Sequence, residues 1–240
     1  MELVILAAGK GSRIFKSINR NKCLIKLNKK TLIEKIISNA KSLNLFNKIH
    51  VVVGYKKQNI MNSLKNEDVN FIYNEDYNKK EMLHSLKLGL KDCNEETIIS
   101  YSDILYPKEV FKDINKKNKK EYLLPVLKNW KNIWKLRKKE IIDDCETLNY
   151  TQNFLLKDIG EKINSKTQPK GQFMGIFFVP KNKIRRTINL INKNKKNKKM
   201  HTTNFINHLI KQKEKIRCIV KNYKWYEFDD IKDLKNYQKR

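Results

Sequence analysis

Residues Leu3 to Arg13 read LVILAAGKGSR, and the rest of the chain is arranged about them. Leu3-Val4-Ile5-Leu6 is a continuous apolar run containing β-branched residues, which suits a central strand buried on both faces. It passes directly into Ala7-Ala8-Gly9-Lys10-Gly11-Ser12-Arg13, a turn of small residues carrying two cations. Glycines there let the backbone approach a ligand, and successive N–H groups can form a nest for an anion. Arg13 adds a planar fork that matches phosphate oxygens. The stretch therefore predicts a first strand followed by a phosphate-binding loop.

Two familiar glycine loops do not fit. The pattern GxxxxGK[ST] is absent, since Ser12 and Arg13 follow Gly11, and GxGxxG meets Ile14 where its third glycine belongs. The stretch resembles instead the signature of nucleotidyltransferases acting on sugar phosphates and related phosphate monoesters. In that signature LAAGxGxR is followed by a lysine in a PKxL-like segment, here Asn21-Lys22-Cys23-Leu24, with Asn21 in place of the usual proline.

Downstream, strand and helix alternate. Leu32, Ile33, Ile36, Ile37 and Ala40 recur at helical spacing, and Thr31 with Glu34 forms a capping box. Strands are expected at 49–53, 71–73 and 97–101, with helices at 57–64 and 82–90 between them. This predicts a mostly parallel sheet covered on both faces. The second half reads as a strand at 122–127 and a smaller antiparallel region from 141–142, 154–156 and 173–179. Helices at 181–192, 203–211 and 231–237 and a strand at 215–220 complete it. The expected architecture is a Rossmann-like, three-layer α/β/α fold with a mixed, mostly parallel sheet and a small antiparallel β-region. It forms one domain over 1–240, with a nucleotide-binding half over about 1–120 and an acceptor-binding half over about 121–240.

The chain has 240 residues and is 40% hydrophobic, enough for a substantial core. No apolar run approaches a membrane span, and Met1-Glu2-Leu3 does not open like a signal peptide. Cys23, Cys93, Cys145 and Cys218 lack CxxC spacing and read as reduced thiols, so a cytoplasmic location is expected. The formal net charge of +28 invites a nucleic-acid reading. Nearly all of the excess is lysine, however, spread along the chain among asparagine and isoleucine, where arginine would be the better phosphate and base reader. No specific nucleic-acid partner is expected; diffuse attraction of anions is.

Two acids stand where strands should end. Asp103 follows the strand at 97–101, and ligands of open α/β sheets bind at that end. Trp225-Tyr226-Glu227-Phe228-Asp229 alternates as a strand does, putting Trp225, Glu227 and Asp229 on one face. Two distant carboxylates converging on one Mg²⁺ suit nucleotidyl transfer, with Arg13 and Lys22 stabilising the growing charge on pyrophosphate and the incoming phosphate. A phosphate monoester is already an anion, so no general base is required.

The resemblance extends along nearly the whole chain. Tyr101-Ser102-Asp103-Ile104-Leu105-Tyr106, Trp130-x-x-x-Trp134-x-x-Arg137, Asp144-Cys145-Glu146-Thr147-Leu148 and Ile159-Gly160 are similar to successive blocks of one branch of this superfamily. So are Gly171-Gln172-Phe173-Met174-Gly175 and the closing Trp-x-Glu-x-Asp-x-x-x-Asp-Leu. That branch holds the phosphocholine cytidylyltransferases and related enzymes for small phosphorylated or phosphonate headgroups. The resemblance implies CTP as donor, Mg²⁺ as cofactor and a phosphate or phosphonate monoester as acceptor. It places Ala7, Ala8, Gly9, Lys10, Gly11, Ser12, Arg13 and Ser85 at the nucleotide, Arg13, Lys22, Asp103 and Asp229 in catalysis, and the two aspartates at the metal. Trp134, Arg137, Asp144, Glu146 and Glu227 are the expected acceptor residues, with Trp134 as an aromatic wall against a cationic headgroup. Two alternatives stay open: a sugar-1-phosphate nucleotidyltransferase, and a basic nucleic-acid-binding or nucleotide-sensing protein without catalysis. Oligomeric state is left open.

Overall fold

The computed structural model describes residues 1–11, 21–79, 82–137, 145–163, 168–193 and 200–238, apart from the side chains of 136 and 137. β1 (Glu2–Ala7) is buried along its whole length. A 3₁₀ turn (Lys22–Leu24), the short β2 (Lys26–Leu27) and β3 (Lys30–Thr31) lead to α1 (Leu32–Lys41), which starts at the predicted Thr31–Glu34 capping box. Next come β4 (Lys48–Val53), α2 (Lys57–Ser63), β5 (Asn70–Tyr73), α3 (Met82–Lys91), β6 (Thr97–Tyr101) and β7 (Ile104–Leu105). α4 (Glu109–Asn115), β8 (Tyr122–Leu127), α5 (Trp130–Arg137), β9 (Glu146–Tyr150) and β10 (Leu156–Lys162) follow. The remaining elements are β11 (Gln172–Phe173), β12 (Ile176–Val179), α6 (Ile184–Lys193), α7 (Thr202–Lys211), β13 (Ile216–Lys221), β14 (Tyr226–Glu227) and α8 (Ile231–Gln238).

The main sheet has eight strands in the order β11-β8-β12-β6-β1-β4-β5, with β13 alongside β8. β1 runs parallel to both β4 and β6, β4 to β5, and β8 to β13, while β12 and β11 run antiparallel to their neighbours. The alternation along β1 builds the layers. Leu3, Ile5 and Ala7 enter one core with α1, α4 and Trp130, whereas Val4, Leu6 and Ala8 enter the other with α3 and α7. The continuous apolar run is thus required by a strand that is covered on both faces. Its neighbours β4 and β6 lie on opposite sides, so the chain reverses its direction of travel at β1 and opens a crevice at the strands' carboxyl ends.

Three expectations need correction. The run 173–179 belongs to the main sheet and is broken in two: Gly175 has φ +75°, and its amide plane turns so that its carbonyl accepts the Tyr101 N–H over 2.9 Å. Phe154 lies in a left-handed turn with φ +58°, and β10 starts at Leu156, pairing antiparallel with β9 as a separate two-stranded sheet. Trp225 does not share the face of Glu227 and Asp229, because the strand there is only Tyr226–Glu227 and the indole is buried, donating to the Met174 carbonyl over 3.1 Å. The expected strand at 141–142 lies outside the described residues.

At the opposite end of the sheet, buried Glu2 meets His50 Nε2 over 2.7 Å and accepts the N–H groups of Asn94 and Glu95. Burial pushes the Glu2 carboxyl up, but the Asn94 N–H and the His50 ring outweigh it and hold the group below the ordinary carboxylate value. The four cysteines are buried thiols.

Candidate active site

A cleft of about 420 Å³ opens at the carboxyl ends of β1 and β6. Its floor is the Ala7-Ala8-Gly9-Lys10-Gly11 turn, as the first strand predicts. Gly11 has φ +60°, and a Cβ added there would come within 2.7 Å of Lys22 Cγ, so only glycine lets the loop lie against the lysine stem. Gly54 is equally tight, since a Cβ would meet Tyr77 Cβ at 2.6 Å and the Ala8 carbonyl at 2.8 Å.

Asn21 takes over the work of the proline usual in the family. Its φ of −59° is one that proline would adopt, and its buried amide donates to the Tyr55 carbonyl over 2.7 Å. The 3₁₀ turn carrying Lys22 is thereby tied to the loop after β4. Tyr55 in turn donates its N–H to the Ala8 carbonyl over 3.0 Å, locking this segment onto the glycine turn.

The acids arrive from far apart. Asp103 lies between β6 and β7, and Asp229 follows β14. β7 and β14 pair antiparallel, Ile104 with Glu227, and the Phe228 N–H donates to the Asp103 carbonyl over 3.0 Å. Asp233, one turn into α8, accepts the N–H groups of Asp229 and Asp230 at 2.9 and 3.1 Å, which fixes the approach of Asp229. Lys22 Nζ bridges the two carboxylates, 2.8 Å from Asp229 Oδ1 and 3.3 Å from Asp103 Oδ2. A pair of carboxylates already accommodating a cation is a donor set suited to a hard divalent ion, with oxygen ligands and room for water.

Asn74, Tyr77, Met82 and Ser85 line the opposite wall, where Asn74 donates to Ser85 Oγ over 2.9 Å. Ser85 stands at the cleft, and so do Asn74 and Tyr77, which carry no motif and are not legible in the sequence. Tyr101 also lines the cleft. Burial pushes its phenol up, and the charges of Asp103, Glu146 and Glu227 push it further up. Glu227 lines the cleft itself and Glu146 is solvent-exposed at the start of β9.

Trp134 is not a wall of this cleft. It is 2% exposed and packs in the core beneath the sheet with Trp130 and Trp225. Its spacing of four from Trp130 places both indoles on one helix face, and that face is the buried one. Ser12, Arg13, Asp144 and the Arg137 side chain fall outside the described residues.

A glycine loop on the first strand of an α/β sheet, facing a lysine and two carboxylates from distant segments, has the composition of a nucleotidyl-transfer site. The chain belongs to the MobA-like NTP transferase family, whose model matches residues 3–134, and it is a nucleotidyltransferase. It is 31% identical, over 98% of both chains, to the CTP:phosphoglutamine cytidylyltransferase of Campylobacter jejuni. Among solved structures it superposes on the CTP:phosphocholine cytidylyltransferase of Streptococcus pneumoniae with a TM-score of 0.76 at 18% identity, covering 99% of this chain and 97% of that one. The inositol-1-phosphate CTP transferase of T. maritima gives 0.77 at 18% identity, covering 99% and 93%. Among the described residues no helix is long and apolar enough to cross a membrane.

Proposed function

We propose that the protein transfers CMP from CTP to a small phosphorylated acceptor and releases pyrophosphate. The observation that carries this reading is the meeting of Asp103, Asp229 and Lys22 opposite the glycine turn. A phosphate oxygen of the acceptor attacks the α-phosphorus of CTP; the new O–P bond forms as the bond to pyrophosphate breaks, and pyrophosphate leaves with the electron pair. Catalysis of this kind is mainly positioning and charge stabilisation. N–H groups of the glycine turn hold the triphosphate, and Lys10, Arg13 and Lys22 neutralise charge on the leaving group. Asp103 and Asp229 would hold Mg²⁺, which would supply neutralisation of phosphate charge during transfer. Ser85 and its partner Asn74 face the nucleoside side of the cleft.

For the acceptor, Glu227 in the lining of the cleft favours a cationic group at the end remote from phosphate. Glu227 is the proposed contact, and an indole wall is not part of it. Support for a phosphorylated glutamine or a close analogue comes from the Campylobacter relative, similar over the full length, and from the ammonium group that glutamine carries. Pyrophosphate release measured with CTP or UTP against phosphoglutamine, phosphocholine and sugar 1-phosphates tests this directly. Turnover with CTP and an ammonium-bearing acceptor is expected; turnover restricted to sugar 1-phosphates would overturn it.

A further inference from the structure

Lys22 is built to sit between the two acids. Its side chain is 11% exposed, against 21% for Asp103 and 9% for Asp229, so the trio is largely withdrawn from water. The stem lies against Gly11, and the turn bearing it is tied down through Asn21 and Tyr55. Asp229 is in turn aimed by Asp233. Two carboxylates brought to one ammonium repel each other, and that ammonium offsets part of the repulsion. The same ammonium cannot lie between both acids and also meet phosphate oxygens on the far side of a bound cation.

We infer that Lys22 is an exchangeable counter-ion: in the free protein its ammonium holds the place between Asp103 and Asp229 against a divalent cation, and the phosphates of the nucleotide draw it away. The inference rests on the reading of the two aspartates as metal-binding acids. It has a counter-intuitive consequence. Removing a lysine that assists transfer improves metal binding in the absence of nucleotide, because the carboxylates lose their competing cation. Nucleotide and metal then assist each other's binding in the native protein, partly through Lys22, and by linkage that coupling is reciprocal.

Mn²⁺ binding without nucleotide, followed by the electron paramagnetic resonance of the free ion, tests the exchange. Lys22→Met keeps the stem and removes the charge, with Lys22→Gln as a second variant and thermal melting as the check of folding. About tenfold tighter Mn²⁺ binding than wild type is expected in both variants, a change of about 1.4 kcal/mol. Addition of a non-hydrolysable CTP analogue should tighten Mn²⁺ binding more in the wild type than in either variant. Unchanged or weaker binding in the folded Lys22 variants overturns the exchange while leaving the metal acids in place, provided Asp103→Asn still weakens Mn²⁺ binding. If Asp103→Asn in the Lys22→Met background leaves Mn²⁺ binding untouched, the metal reading itself fails, and the exchange with it.

Discussion

Phe228 donates its backbone N–H to the carbonyl of Asp103 over 3.0 Å, and this bond clamps together the two segments that carry the acids of the cleft. It extends the pairing of Ile104 with Glu227, so the position of Asp229 relative to Asp103 is set by strand register rather than by long side chains. A one-residue slip would turn Glu227 away from the cleft, because alternate residues of a strand face opposite ways, and would displace Asp229, which follows it.

That rigidity makes the acids separable from the fold. Asp103→Asn and Asp229→Asn preserve size and part of the hydrogen bonding but remove charge, so turnover should fall by about a hundredfold or more while stability changes little. Pyrophosphate release titrated with Mg²⁺, alongside melting curves, provides the check. Wild-type turnover by both variants at limiting Mg²⁺ would take them out of the reaction.

Asp233 acts one step back, through its bonds to the N–H groups of Asp229 and Asp230. Asp230 caps α8 by accepting the Lys232 and Asp233 N–H groups, and Asp233 reaches back to complete the box; Asp233→Ala should remove that half, costing about 1 kcal/mol, and loosen Asp229. The apparent Mg²⁺ requirement should rise. Asp233→Asn retains an acceptor oxygen and should recover most of the loss; equal damage in both variants would show that the charge, not the bond, is needed.

Trp134 should behave as a core residue. Trp134→Leu is expected to lower stability by about 2–4 kcal/mol through lost packing. The KM values for CTP and acceptor should move little, and together. A selective rise in the KM of a cationic acceptor would restore the indole to the pocket.

The Glu2–His50 pair gives a pH signature remote from the cleft. Because Glu2 is held below its ordinary value of 4.5 in the folded chain, its contribution to stability is present above that value and is lost as pH falls through the lower, folded-state one. Glu2→Gln should therefore destabilise the protein by about 2–3 kcal/mol near neutral pH and by progressively less in acid. Melting temperatures of both proteins between about pH 3 and 7 would reveal it; parallel curves would mean that Glu2 keeps its ordinary acidity.

The net charge of +28 should produce only diffuse attraction to nucleic acid. DNA and RNA binding is expected to weaken at least tenfold between about 50 and 200 mM salt, without sequence preference. Tight, selective binding at physiological salt would require an interface of another kind.

The first strand, the glycine turn and the alternation of strand and helix up to Tyr101 were legible because each is a local pattern. A strand covered on both faces must be apolar throughout, and a turn that lies against a lysine stem must have glycine at Gly11. Asp103 was legible for the same reason, standing at the end of a readable strand. The second half was harder because its strands are short and paired at long range. Gly175 breaks 173–179 into two strands of the main sheet, and β14 has only two residues, so neither shows a clear period. Trp134 illustrates the limit most plainly. Residue type and spacing place it beside Trp130 on one helix face, but whether that face meets a ligand or the core depends on what packs against it. Lys22 shows the converse. Its presence follows from the motif, whereas its place between Asp103 and Asp229 exists only once β7 and β14 have paired, since no local preference can bring together side chains so distant along the chain.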